Sequence, residues 1–223
     1  MEQSGRRLTA HPVESEQPGA ESNYYQRATW VTKTVIFLNK GASKMYHPSV
    51  YDNLKIVLEG AVYDLDFAGV IEIVDRRDLV DLAVIGRSYS IDFIVSGISQ
   101  SFKGNLTLNT NLENYATEKL KDNPEGAGSK VSIIIETPVY EIETDCKQLQ
   151  SILKKWSEGD LKGDIQQKLT YIYGESRNVF SNTISIHLQK PFSEEEPERF
   201  SLVLEQVIAS MKEMNEYFKG YKK

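Results

Sequence analysis

Across residues 54–110 apolar and polar side chains alternate with almost no helical interruption. A period of two puts every second side chain on the same side of an extended backbone, so the pattern describes an antiparallel sheet with one dry face. Leu54, Ile56, Leu58 and Val62 alternate with Lys55 and Glu59 and are expected to form a strand. Further strands are expected at 70–74, 79–85 and 89–95, with a polar hairpin turn at 75–78. In 89–95, Tyr89, Ile91, Phe93 and Val95 share one face while Ser90 and Asp92 share the other. Segments this closely spaced leave no room for crossover helices, which makes antiparallel pairing the expectation.

Flanking segments extend this reading. Residues 30–38 are rich in β-branched and aromatic side chains and stop at Asn39, Lys40 and Gly41, a first strand followed by a turn. Residues 105–110 and 131–143 continue the sheet, Pro138 marking an edge or a bulge, and 183–188 alternate as a last strand. Asp145 and Gln148 resemble a capping pair, and Leu149, Ile152, Leu153 and Trp156 fall on one helical face behind them. The clearest helix closes the chain. Ser193 is its expected cap, Pro197 sits in its first turn, and Phe200, Val203, Leu204, Val207, Ile208, Met211, Met214 and Phe218 form its apolar stripe.

The fold class that follows is α+β: a curved antiparallel sheet of about six to eight strands packed against a long C-terminal amphipathic helix and a second, shorter helix. Residues 1–22 carry too few bulky aliphatic side chains to offset chain ordering and are expected to be a disordered tail. Residues 23–223 are read as a single α+β domain, with a sub-boundary near Asp145 left open.

Charge and cysteine content exclude several roles. A surplus of 32 acidic over 26 basic residues, net charge −6, opposes attraction to phosphate polymers and argues against nucleic acid as a partner. One cysteine, Cys146, permits no intrachain disulfide, and with no apolar core of a secretory signal at the N-terminus the expected location is cytoplasmic. No stretch approaches the ~18 apolar residues of a membrane span.

Chemistry-bearing residues do not converge into a motif. Asp64, Asp66 and Glu72 lie in an acidic segment of the kind that holds a divalent cation through hard oxygen ligands, although on a strand Asp64 and Asp66 would simply share a solvated face. Gly126, Gly128 and Lys130 lack the spacing and the following helix of a phosphate loop. His11, His47 and His187 are far apart, and with one cysteine they do not suggest a structural zinc site. No catalytic residue and no cofactor are assigned.

Three functions remain. The leading expectation is a non-catalytic protein–protein interaction module or assembly subunit, self-association included, because many strands leave edges that must be paired or protected. Tyr24, Tyr25 and Trp30, an aromatic cluster after the tail, and Leu202, on the far side of the last helix, are its candidate partner contacts. The second is a carrier of an apolar small molecule in a sheet–helix cavity lined by Tyr89, Phe93, Met211 and Met214. The third is a metal-dependent hydrolase using Asp64, Asp66 and Glu72.

Overall fold

Alternating apolar residues build the sheet. In the computed structural model, which describes residues 49–114, 116, 128–174 and 180–220, six strands run β1 (Ile71–Asp81), β2 (Gly86–Val95), β3 (Lys103–Thr110), β4 (Lys130–Val139), β5 (Gly163–Thr170) and β6 (Phe180–Leu188). All neighbours are antiparallel, in the order β1-β2-β3-β4-β6-β5, and the sheet is open. The expected tail 1–22, the expected strand 30–38 and the candidate contacts Tyr24, Tyr25 and Trp30 lie outside the described residues.

Register explains the dry face. Arg76, Ile91, Leu106, Ile133, Ile186 and Ile165 stand side by side across all six strands, apolar everywhere except at the β1 edge. Three helices cover this side: α1 (Ser49–Phe67), α2 (Ile142–Leu153), which continues into a 3-10 turn at Lys154–Ser157, and α3 (Arg199–Lys219). One apolar core runs from Tyr51 to Phe218 and includes the whole expected stripe of the last helix. The opposite face is polar, carrying Ser90, Thr107, Ser132, His187 and Asp164 in a single cross-strand row. Proteins with an antiparallel sheet commonly leave such a face to water.

Four local expectations are corrected. Residues 54–62 are not a strand but the middle of α1. Tyr51, Leu54, Leu58 and Val62 are buried at spacings of three and four, whereas Ile56, which the alternation placed beside them, is 51% exposed. Residues 75–78 are not a turn, because β1 runs through them and the chain reverses at 82–85. Ser193 and Pro197 precede the helix they were expected to start: α3 begins after Glu198, with no side-chain cap. Asp145 is not a cap paired with Gln148 but a buried residue within α2. Its Oδ2 accepts from the Tyr140 and Glu141 backbone N–H groups at 2.8 and 2.9 Å, and its Oδ1 from the Tyr217 hydroxyl at 2.7 Å.

Pro138 falls in β4, an interior strand, yet β3 register ends at Lys103 opposite Glu136. At Pro138 β4 therefore has β6 alone beside it, which is the local edge that a residue without an N–H requires. No helix among the described residues is long and apolar enough to cross a membrane.

Candidate interaction surface

The first hairpin departs most from the rules that build the rest. Beyond Ile73 every residue of β1 is exposed, and the reversal joining it to β2 is Leu82, Ala83, Val84 and Ile85, with none of the usual polar turn residues. Val74, Leu79, Val80, Leu82, Val84 and Ile85 are all exposed, Leu82 at 86% and Ile85 at 66%. Scattered apolar residues on a surface mean little, but six within twelve positions of one hairpin are a local concentration of exposed apolar side chains.

The tip is also strained. Ile85 has φ of 51°, a left-handed conformation that costs a β-branched residue dearly, and the next position is Gly86. Asp81 Oδ1 holds the reversal by accepting from the Ala83 and Val84 N–H groups at 2.9 and 3.4 Å. Strain of this kind persists only where the surroundings impose it, and it concentrates at functional sites.

A polar seam fixes the hairpin to α1. Asp52, Lys55, Glu59 and Tyr63 recur along one side of that helix, and each meets a residue of the hairpin's helix-facing side. Asp52 pairs with Arg87 at 2.7 Å, Lys55 with Asp78 at 2.6 Å, Glu59 accepts from the Tyr89 hydroxyl at 2.7 Å, and Tyr63 accepts from Arg76. Arg87 also lies over the Tyr51 ring and Lys55 over that of Tyr89. Burial, and then the Glu59 carboxylate, hold the Tyr89 hydroxyl well above the ordinary phenol range; burial and then Asp78 do the same for Tyr51. On the outer side, Asp75 and Asp92 face each other in register and Arg77 bridges them, at 2.8 and 3.1 Å. Its guanidinium, with the Arg76 N–H, lowers the Asp75 carboxyl. The hairpin is thus a positioned arm.

The carrier residues are all buried. Tyr89, Phe93, Met211 and Met214 belong to the one core between sheet and helices, and beside Phe93 and Met211 that core is closely packed: a Cβ added to Gly104 would stand 2.6 Å from the Phe93 ring and 3.2 Å from Met211 Sδ. An open groove of about 1080 Å³ runs instead between α2 and the β5 edge, past polar residues such as Lys147, Gln150, Lys154, Asp164 and Gln166. The acidic trio is not brought together. Asp64 and Asp66 lie on α1 rather than on a strand, Asp66 Oδ1 accepts the Ile73 N–H at 3.2 Å, and Glu72 is exposed on β1. Burial raises the Asp64 carboxyl. Among the described residues no three His, Cys, Asp or Glu side chains are grouped to hold a metal ion.

Leu202 is half-exposed on α3. Cys146 is half-buried, and burial followed by the Asp145 charge pushes its thiol up, away from the reactive thiolate. Sequence reasoning missed the tip because it assigned 79–85 to a strand. The signal lay in a reversal with apolar residues where turn chemistry is absent. No protein-family model, no curated protein and no solved structure matches this chain.

Proposed function

We propose that this protein is a non-catalytic interaction module that docks through the β1–β2 hairpin, its β1 edge offering backbone hydrogen bonds and its apolar tip an anchor. The observation that carries this reading is the exposed run Leu79, Val80, Leu82, Val84 and Ile85 on an arm held by the α1 seam. Edge pairing supplies affinity through the main chain while alternate side chains set selectivity. The filled space at Gly104 favours docking over carriage of an apolar ligand. A cytoplasmic setting accords with the lone half-buried cysteine.

A photo-crosslinking residue at position 82, compared with one at position 202 on α3, tests the reading in extract of the protein's own cells. An adduct of defined mass from position 82 and none from position 202 is expected. Equal labelling at both positions, or none at either, contradicts it.

A further inference from the structure

The outer edge of β1, which has no strand beside it among the described residues, is complementary to itself, and we propose that its partner is a second copy of this chain, joined edge to edge about a two-fold axis at Leu79. This rests on the docking reading above and deepens it by naming the partner.

Past the bulge at Val74, Arg76, Asp78 and Val80 face the helices, while Asp75, Arg77, Leu79 and Asp81 face outward. A two-fold axis normal to the sheet keeps the faces, so each residue meets one from the same face of the other copy. Only registers centred on a residue satisfy this. Centring on Arg76 or Arg77 stacks an arginine on its own copy; centring on Asp78 stacks two carboxylates and sets Asp75 against Asp81. Centring on Val80 leaves Leu79 opposite Asp81 and pairs no charges. The register at Leu79 places Leu79 on Leu79, Val80 opposite Asp78 twice, and Arg77 opposite Asp81 twice, with no like charges directly opposed. Opposite-charge and apolar cross-strand pairs stabilise a sheet, and like charges destabilise it.

Natural edges are guarded by bulges and by charged side chains. Here the bulge lies outside the five residues, 77–81, that would pair, and the charges are mixed, so two copies attract. The β5 edge offers Asp164 opposite Lys168 about Gln166, but its axis residue is polar. It also lacks within its length the exposed aliphatic residues of β1.

Arg77→Asp and Asp81→Arg test the register. Each variant alone sets like charges opposite each other twice, whereas an equimolar mixture restores every opposed pair. In sedimentation equilibrium the wild type should be a dimer, each variant should dimerise more weakly by roughly tenfold or more, and the mixture should recover the dimer. Recovery on mixing also shows that both variants fold. Leu79→Cys with Cys146→Ser should form an interchain disulfide, since antiparallel partners stand within disulfide reach, and Gln166→Cys in the same background should not. A wild type that stays monomeric, a mixture that fails to recover, or a disulfide through position 166 instead overturns the proposal. If a monomeric wild type still gives an adduct with a different protein from position 82, self-pairing falls and the docking reading stands; with no adduct, both fall.

Discussion

Tyr89 donates its hydroxyl to Glu59 Oε1 at 2.7 Å across the α1–β2 interface, and this bond ties the hairpin to the helix beneath it. The folded protein holds the Tyr89 proton more tightly than the unfolded chain, whose tyrosines titrate near 10.0, and Tyr51 behaves alike. Below that pH both states are protonated and the stabilisation is complete. Above it the unfolded chain alone loses protons, so stability falls as pH rises. Urea unfolding across the alkaline range should show a steeper loss for wild type than for Tyr51→Phe/Tyr89→Phe; equal slopes contradict the assignment.

Gly104 exists for the close approach of Phe93 and Met211. Gly104→Ala should destabilise the fold by about 1–3 kcal/mol through overpacking. Adding Phe93→Leu should recover part of that loss in the same urea titration. A neutral Gly104→Ala would reveal free volume between the sheet and α3 and return weight to carriage of an apolar ligand.

Asp145 joins the start of α2 to the end of α3. Asp145→Ala leaves the Tyr140 and Glu141 N–H groups without this acceptor, and it should cost about 2–4 kcal/mol. Tyr217→Phe removes only the hydroxyl's bond to Asp145 Oδ1 and should cost about 1–2 kcal/mol. Chemical denaturation that ranks the two in the opposite order would contradict this account.

Ile85 is held left-handed at the tip. Asparagine tolerates that region, so Ile85→Asn should raise stability by about 1 kcal/mol while weakening docking. Gain of stability with unchanged docking would remove Ile85 from the surface.

Strands β2, β3, β4 and β6 and the apolar stripe of α3 were legible in the sequence because a single period dominates each of them. Helix α1 was not. Leu54, Ile56 and Leu58 satisfy a period of two, yet Tyr51, Leu54, Leu58 and Val62 also satisfy the helical spacing, and the packing of the whole 19-residue element decides between them. Gly60, a poor helix former, is accommodated because it sits on the exposed side of α1, with nothing near where a Cβ would be. The hairpin was misread for a related reason. Asp75, Arg76, Arg77 and Asp78 look like a turn but are held extended by partners on α1 and β2, while the true reversal is apolar. A place where local rules fail in an otherwise consistent chain is where function is expected.

Hydrogen exchange along β1 tests the central claim most directly. The account predicts that, as protein concentration rises, the backbone amides of residues 77–81 that point away from β2 become protected while those on the outer side of residues 164–169 at the opposite edge do not change. Exchange at 77–81 that is independent of concentration and of added cell extract would contradict it.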